Sequence, residues 1–527
     1  MLIENKKKIV KNFITHNQNL IKHKNKKKNK IFLVEFNGWS AIHIIFSYVV
    51  NFYRNKKNCK IIAYECFDLL NRLEPPWYKK FFWKFGILLN VRTFEIFKSF
   101  GTDEFLKPNY NQKQIKNANL ETKKFFKKRL SLSNLENYKA NNIWIGDLIY
   151  DSYLKKYQKE TIDLKSTNFK IFFNDCLKLF FFWKDYFKKN NIEAIAGCHA
   201  VYLTGIPLRI ADKKKINCFA ISAFNCDLVN LKGKISYLKK INGSDVQFKF
   251  YKNFIKNFSS KKIKKIQNEG RKIIKNITTG EKKYFHLKES SFRNNAIIKK
   301  KKKNKKIKIV IFAHDFIDSP HVYGNHFFSD FKQWFDFLDQ MIKRTDYDWY
   351  IKDHPASSSL TKNKINSLLN DNKNLKLIKK DFPNNKLKFL GIHFVLTVYG
   401  TVASELPIYN IKVINASINQ PHADFNFSIN PKNLNNYKKI IMNLKNNKFR
   451  IDKNQLYQYH YIKDFFSKRH LFFDKQDKYF KYLADKPLIF TPTVYKYWLD
   501  DFNLKRHNQI LNNLEKFINA GKYSFTL

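Results

Sequence analysis

The stretch IKIVIFAHDF (Ile307–Phe316) opens the part of the chain that decides the fold. Two related segments follow it, WYIKDHP (Trp349–Pro355) and HFVLTVYGTVASEL (His393–Leu406). Each has the pattern of a short apolar strand that ends in polar residues: a His-Asp pair, a His-Pro pair, and a Gly-Thr turn that begins a predicted helix. Ligands of open parallel sheets bind at the carboxyl edge of the strands. The region up to Ser417 therefore predicts a nucleotide-binding α/β half-domain with its site at that edge.

A second α/β pattern precedes this region. It begins with the strand IFLVEF at Ile31, continues through the turn NGWS into an apolar helix, and includes a βαβ unit at Ile192–Ser222. The like-charged run KKKKKNKK (Lys299–Lys306) predicts a solvated linker. The predicted fold class is α/β, with two Rossmann-like domains and a C-terminal helical tail. The predicted parts are a basic lead-in at 1–30, α/β domains at 31–290 and 307–450, a linker at 291–306, and the tail at 451–527.

The composition indicates a globular chain with a strong positive charge. The 527 residues are 44% hydrophobic and 17% aromatic, enough for two domains with sizeable cores. The formal net charge of +57 has three explanations: nucleic acid, an anionic membrane, or a genome biased toward Lys, Asn, Ile and Phe. The even spread of Lys favours the bias. No zinc-finger spacing or RNA-recognition motif is present, so no specific nucleic-acid partner is predicted. A basic surface would still attract anionic membrane headgroups.

Cysteine usage and hydropathy predict the location of the protein. The six cysteines include no CxxC pair, which is typical of reduced thiols in a cytosolic protein. The basic N-terminus has no apolar core of a signal peptide, and no apolar run is long enough to span a bilayer. The chain is therefore predicted to be cytoplasmic, with at most peripheral contact at the inner face of the membrane. The spacing of His314, His321 and His326 matches no metal-ligand pattern, and no metal site is predicted.

The Gly-Thr turn is the first candidate binding element of the second half. Gly400 allows close approach to the backbone, and Thr401 begins the predicted helix VASELPIY. The N-terminus of a helix presents unpaired N–H groups and suits a phosphate. Glu405, one turn further along, would accept the hydroxyls of a ribose. The alternative is an ordinary helix start in which Glu405 only complements the helix dipole.

Residues at the ends of the other two strands complete this candidate site. His354, held by Pro355, would contact a phosphate and, when protonated, offset the charge of a departing nucleotide. Lys352 and His314 are further candidate phosphate ligands, and Ser319 and His321 are candidate substrate contacts in the loop after the first strand. For each histidine the alternative is a structural role in a strand-to-loop turn.

Candidate residues also follow the strands of the first half. Asn37 and Gly38 lie in the turn after the first strand, where a substrate would meet the backbone. Tyr202 and His199 follow the strand IEAIAG, and His199 is a candidate base or phosphate ligand. Asp147 and Asp151, in GDLIYDSYL, are candidate catalytic carboxylates, although a helix-cap role is also open for Asp147.

Several of these segments resemble a known group of enzymes. The resemblance rests on HDFIDSPHVYG, FSDFKQWFDFLDQ, WYIKDHP, VLTVYGTVASELPIYNIKVINAS and PHADFNFS, within about 307–427. The chain resembles bacterial capsule and surface-polysaccharide biosynthesis proteins. These are similar to Kdo- and sialic-acid-type transferases with a His-Pro motif, and to the glycerophosphate polymerases of teichoic acid synthesis. The resemblance implies the two-domain GT-B fold, with the acceptor on the first domain and the nucleotide donor on the second.

The resemblance also implies roles for individual residues. His354 and Pro355 match the His-Pro that contacts the donor phosphate, Gly400 and Thr401 match the phosphate turn, and Glu405 matches the acid that holds the ribose. The turn has one Thr where relatives often carry paired Ser/Thr. The acid-acid-Gly motif that would supply the general base is not evident, so the base stays open among Asp147, Asp151 and His199.

The implied function is transfer of a sugar from a nucleotide-activated donor to a glycan or lipid-linked acceptor in surface-polysaccharide synthesis. No cofactor is expected besides the donor as co-substrate, and no metal is required. One alternative keeps the fold and transfers glycerol phosphate from CDP-glycerol. Another, from a different class, is a non-catalytic protein that binds polyanions or RNA through its lysines.

Overall fold

The computed structural model describes most of the chain. It describes residues 2–20, 29–65, 83–89, 91–198, 200–222, 227–233, 255–280, 292, 306–324, 326–354, 357–468, 491–522 and 525. The chain divides into two compact units. The first unit comprises Met1–Tyr157, Asp163–Ser244 and Ser467–Leu527, and the second comprises Gln158–Ile162 and Asp245–Phe466.

The first unit contains a six-stranded sheet with helices between the strands. The strand order is β3-β2-β1-β6-β7-β8, parallel except for β8, which runs antiparallel to β7. A separate antiparallel pair is formed by β4 and β5. The strands are β1 Lys30–Glu35, β2 Cys59–Tyr64, β3 Glu104–Leu106, β4 Lys139–Ala140, β5 Ile143–Trp144, β6 Ile192–Gly197, β7 Asn217–Ser222 and β8 Asp227–Asn230. The helices are α1 Leu2–Leu20, α2 Ser40–Asn55, α3 Arg92–Ser99, α4 Gln112–Phe126, α5 Leu132–Glu136, α6 Gly146–Tyr157, α7 Thr167–Lys189 and α8 Gly205–Lys213.

The second unit contains a five-stranded, fully parallel sheet in the order β11-β10-β9-β12-β13. Its strands are β9 Lys308–Phe312, β10 Asp348–Lys352, β11 Leu375–Ile378, β12 Phe394–Thr397 and β13 Lys412–Asn415. Its helices are α9 Ser260–Thr278, α10 Phe331–Arg344, α11 Ser359–Asp371, α12 Val402–Glu405, α13 Leu434–Met442 and α14 Lys453–Lys468. Two further helices, α15 Thr493–Asp500 and α16 Leu504–Asn519, lie in the C-terminal part of the chain.

The sequence pattern explains why these strands form the centre of each unit. Ile309, Val310 and Ile311 of β9 are all fully buried, as expected for a parallel strand that is covered on both faces. Helix α10 buries Trp334 and Leu338 at helical spacing against this core. The predicted fold class, α/β with two Rossmann-like units and helices near the C-terminus, is confirmed.

The two units are divided along the chain differently from the predicted domains. Helix α9 belongs to the second unit, so the N-terminal part of the first unit ends at Ser244 and not near residue 290. The predicted tail at 451–527 is split, because α14 belongs largely to the second unit and α15 and α16 to the first. A stacked pair of rings, Phe13 in α1 and Tyr495 in α15, has centroids 4.0 Å apart and joins the two ends of the chain. The linker predicted at 291–306 lies almost entirely outside the described residues.

The helix predicted over VASELPIY is shorter than expected. It is α-helical only at α12 and continues as a 3₁₀ turn, Leu406–Tyr409, with Pro407 at its start. Proline lacks an N–H group and interrupts the α-helical hydrogen-bond ladder. The dipole of this helix is correspondingly small. Its side chains therefore contribute more to the site than its dipole does.

Candidate functional site

The strand order of the second unit places its candidate site between β9 and β12. The order reverses at this pair, because β10 and β11 continue to one side of β9 and β12 and β13 to the other. In open α/β sheets, ligands bind outside the carboxyl ends of the two strands at such a switch point. His314 follows β9, and the Gly400-Thr401 turn follows β12. The structure therefore brings these two predicted elements together.

His314 joins the ends of the two strands by hydrogen bonds. Its Nε2 atom lies 3.0 Å from Thr397 Oγ1 and accepts from the Val398 N–H at 3.2 Å. An Nε2 that accepts a backbone N–H carries no proton, so the proton of the neutral ring is on Nδ1. Burial, with a smaller contribution from the nearby His354, lowers the pKa of His314 to about 3. His314 was predicted to bind phosphate; the structure places it as a neutral brace beneath the turn.

The Gly-Thr turn is held by the same hydrogen-bond chain. The Gly400 N–H donates to Thr397 Oγ1 at 3.1 Å. A Cβ atom on residue 400 would lie 2.7 Å from that oxygen, which explains glycine at this position. Thr401 is exposed, so its hydroxyl is available to a ligand at the carboxyl edge of the sheet.

Asp315 has a structural role next to this turn. Its Oδ1 atom accepts hydrogen bonds from Ser358 Oγ and Thr361 Oγ1, both at 2.6 Å. Thr361 Oγ1 in turn accepts from the Phe316 N–H at 3.0 Å. These bonds tie the end of β9 to the first turn of α11 and fix the loop that carries His314.

Lys352 and Glu405 lie beneath the surface of the same edge. Each side chain is 3% exposed. Lys352 Nζ donates to Phe382 O at 2.6 Å and to Asn384 Oδ1 at 2.5 Å. Burial lowers the pKa of Lys352 to about 8, while the negative charges of Asp381 and Glu405 act in the opposite direction. The two groups form a buried, oppositely charged neighbourhood below the predicted phosphate position.

His354 is half-buried at the end of β10, close to His314. Burial lowers its pKa, and the carboxylates of Asp318, Asp315 and Asp353 act in the opposite direction. A negatively charged ligand would likewise favour the protonated form. Pro355, the other half of the predicted His-Pro pair, lies outside the described residues.

The two predicted substrate contacts in the loop after β9 are buried. Ser319 accepts a hydrogen bond from the Tyr399 hydroxyl at its backbone oxygen, at 3.1 Å. His321 is 0% exposed, and its ring centroid lies 6.0 Å from that of His326. Both residues therefore shape the loop against the Gly-Thr turn and do not present their side chains to solvent.

The first unit has a switch point of its own, between β1 and β6. Glu35, the last residue of β1, is fully buried. Its Oε2 accepts from the Cys198 N–H at 2.9 Å, and its Oε1 lies 2.6 Å from Cys198 Sγ. Sequence reasoning missed Glu35. The available signal was an acid at the end of an otherwise apolar strand.

Asn37 and Gly38 form the turn after β1. Asn37 Oδ1 accepts from the Trp39 N–H at 3.0 Å, and its backbone oxygen lies 2.7 Å from His43 Nε2. His43 Nδ1 lies 2.5 Å from the hydroxyl of Tyr495, which places the C-terminal helix α15 directly behind the turn. Gly38 is exposed, with open space around the position of a Cβ atom. Of the two, Gly38 is the residue at which a substrate could approach the backbone.

The candidate carboxylates of α6 are both buried, and Asp147 forms an ion pair. Arg209 donates to both carboxylate oxygens of Asp147 at 2.6 Å, and the two side chains are 2% and 0% exposed. The guanidinium also lies 4.5 Å from the centre of the Trp144 ring. This bidentate pair indicates a structural role for Asp147. Asp151, one turn along the helix, is 3% exposed.

Tyr202 lies in a strained loop after β6. Its φ of 54° is in the left-handed region, which is costly for an aromatic residue. Lys155 Nζ lies 3.2 Å from the Tyr202 hydroxyl and 4.8 Å from the ring centre. Backbone strain of this kind is concentrated at functional sites, which keeps Tyr202 among the candidate substrate contacts. His199, the candidate base in the same loop, lies outside the described residues.

The described residues contain no group of three or more His, Cys, Asp or Glu side chains arranged to hold a metal ion. Among the same residues, no helix is both long and apolar enough to cross a membrane.

Comparisons with known proteins give only distant similarities. No protein-family model matches the sequence, and no curated protein matches it. Among solved structures, the chain is similar to a UDP-GlcNAc 2-epimerase from Neisseria meningitidis bound to UDP-GlcNAc. The sequence identity is 12%, the coverage is 83% of this chain and 99% of that one, and the TM-score is 0.25.

Two other solved structures are similar at the same level. A glycosyltransferase from Rickettsia africae has 11% identity over 94% of this chain and 100% of its own, with a TM-score of 0.24. The N-terminal domain of trehalose-6-phosphate phosphatase from Candida albicans has 11% identity over 92% and 99%, with a TM-score of 0.28. TM-scores this low support no conclusion, so the fold assignment rests on the two sheets themselves.

Proposed function

We propose that this protein is a glycosyltransferase that uses a nucleotide-activated sugar to build a surface polysaccharide. The observation that carries the proposal is the switch point of the second unit. There the ends of β9 and β12 are joined through His314 and Thr397, and Thr401 is exposed beside them. Thr401 lies at the carboxyl edge of a parallel sheet, the position at which a nucleotide would bind. The surface-polysaccharide role is supported by the motif resemblance alone.

In the proposed complex, the nucleotide phosphate contacts the Gly400-Thr401 turn. The Thr401 hydroxyl would donate to a phosphate oxygen, whereas the buried Glu405 is assigned to the charge balance beneath the turn. His354, protonated in the presence of the phosphate, would offset its charge together with Lys352. His314 is assigned to positioning, because its Nε2 atom is already used as an acceptor.

The proposed reaction breaks the bond between the anomeric carbon and the phosphate oxygen. An acceptor hydroxyl of a glycan or a lipid-linked glycan forms the new bond to that carbon, and the leaving phosphate keeps the bonding electrons. The acceptor proton passes to a general base, for which Asp151 and His199 are the candidates. Positioning and charge stabilisation would supply most of the rate enhancement. The proposal includes no metal and no cofactor besides the donor.

A thermal-shift screen tests the proposal. Purified protein is heated with CMP, CDP, UDP, GDP or dTDP at about 0.15 M salt. A ligand at about 100-fold excess over its Kd stabilises the folded state by about 2.7 kcal/mol. We expect one nucleotide class to raise the melting temperature, and CDP alone would favour the glycerophosphate reaction over sugar transfer.

The matched variants are His354→Ala and His393→Ala. His354 follows β10 at the carboxyl edge of the sheet, whereas His393 precedes β12 at the opposite edge. The shift should disappear in His354→Ala and persist in His393→Ala. The absence of a shift with every nucleotide, or an equal loss in both variants, would contradict the proposal.

A further inference from the structure

Helix α9 of the second unit has one face packed against the protein and the opposite face in solvent. Ile266, Ile274 and Ile277 are buried on the inner face. Gly270 lies on the same face, and a Cβ atom there would be 1.9 Å from the backbone oxygen of Tyr457 in α14. The two helices are therefore in direct backbone contact, and α9 is firmly attached along its inner side.

The outer face of α9 is a continuous strip of positive charge. At about 100° per residue, six exposed cations fall within an arc of about 120°, opposite the isoleucines, over a length of about 21 Å. This strip is called the basic ridge. It consists of Lys261, Lys264, Lys265, Arg271, Lys272 and Lys275.

The charge of the basic ridge is not compensated by the residues that the structure describes. Across the parts of the chain that the structure describes, none of its six side chains forms an ion pair. The only acid of the helix, Glu269, projects about 80° from Lys261 and outside the arc. Like charges three and four positions apart destabilise a helix. A surface that concentrates such charges on an anchored helix is complementary to an external anion.

We infer that the basic ridge docks the protein on anionic lipid headgroups. A membrane fits the ridge better than a single-stranded nucleic acid does, because the ridge carries no aromatic side chain on which bases could stack. Its cations lie along one side of the helix, an arrangement that suits contact with an extended anionic surface. Docking there would bring the second unit to a lipid-linked acceptor, and in that respect the inference rests on the proposed function.

Co-sedimentation with vesicles tests the inference. Vesicles of phosphatidylcholine, with or without about 30% phosphatidylglycerol, are mixed with the full chain at about 0.1 M salt. The ridge variant is Lys264→Glu, Lys265→Glu, Arg271→Glu and Lys272→Glu. Glutamate has nearly the helix propensity of lysine, so α9 should remain folded, and circular dichroism checks this.

The matched control changes the net charge equally on another exposed helix surface. It carries Lys113→Glu, Lys116→Glu, Lys123→Glu and Lys127→Glu, on and directly after α4 of the first unit. Each cation near an anionic membrane contributes about fivefold to partitioning. We therefore expect the ridge variant to bind anionic vesicles at least about a hundredfold more weakly, and the control far less so.

Three results would overturn the inference. The wild-type protein could fail to bind anionic vesicles, both variants could lose binding equally, or the ridge could bind single-stranded RNA but not vesicles. The ridge variant should keep the nucleotide-induced thermal shift of the wild type. A failure of membrane docking is thus distinguishable from a failure of the proposed function.

Discussion

Each of the two switch points joins the ends of two neighbouring strands, but through a different kind of side chain. In the first unit the ends of β1 and β6 are joined by a buried carboxylate, Glu35, which accepts the Cys198 N–H. In the second unit the ends of β9 and β12 are joined by a neutral imidazole, His314, which accepts the Val398 N–H. An ionised Glu35 would repel a phosphate, whereas the neutral ring of His314 would not. The comparison therefore favours the second unit as the binding site of the proposed nucleotide.

The largest expected effect comes from Asp147 and tests whether its carboxylate is structural or catalytic. Asp147→Ala removes the bidentate carboxylate partner of the buried Arg209 and should lower the free energy of unfolding by about 3–5 kcal/mol. Denaturant titration measures it. Glu104→Gln, which breaks an exposed pair with Lys60, is the control and should cost about 1 kcal/mol or less. A stable Asp147→Ala protein without activity would instead make Asp147 the catalytic base.

The second-largest effect tests the buried Glu35, which joins the ends of β1 and β6. Glu35→Ala leaves the buried Cys198 N–H without its acceptor and should cost about 2–3 kcal/mol of unfolding free energy. Glu35→Gln keeps an acceptor oxygen in place and should cost about 1 kcal/mol. Equal stability of both variants and the wild type would show that the carboxylate does not join β1 to β6.

The corresponding change in the second unit is Thr397→Val. It keeps the shape of the side chain but removes the acceptor of the Gly400 N–H and the contact with His314. We expect a loss of about 1–2 kcal/mol in unfolding free energy. Thr397→Ser keeps the hydroxyl and is the control. If serine and valine behave alike, the hydrogen-bond chain does not hold the turn.

The smallest expected effect on stability is the pH dependence that His314 contributes. The pKa of His314 is about 3 in the folded protein and near 6.5 when unfolded, so the unfolded chain binds the extra proton between these values. Stability from this residue is complete above pH 6.5 and is lost as the pH falls. The loss should be about 1 kcal/mol between pH 6.5 and 5.5. His314→Asn should flatten this part of the profile, measured by unfolding at each pH; an unchanged slope would contradict a neutral His314.

The sequence predicts the positions of the site elements better than their roles. Apolar runs that end in polar residues place His314, Lys352 and Gly400 at one edge of the sheet, and the structure places them there. The hydrogen bond from the Val398 N–H to His314 depends on the register between β9 and β12, because the two residues are 84 positions apart. Such a contact leaves no local signal in a single sequence.

Two other differences have identifiable physical causes. Pro407 shortens the helix after the Gly-Thr turn, and this effect was visible in the sequence. The sequence does not predict that α15 belongs to the first unit, because this placement involves the stacking of Tyr495 on Phe13. Glu35 has a local signal, an acid at the end of an apolar strand, but its role does not follow from the sequence because its partner Cys198 is 163 residues away.

The most direct test of the account is a calorimetric comparison of nucleotide affinity in variants of the two switch points. The ligand is the nucleoside phosphate identified by the thermal-shift screen. Thr401→Ala should raise its Kd about tenfold, because one hydrogen bond to a charged phosphate is lost, and Thr401→Ser should restore it. Glu35→Gln should leave the Kd unchanged. A Kd that responds to Glu35→Gln and not to Thr401→Ala would place the nucleotide in the first unit and contradict the account.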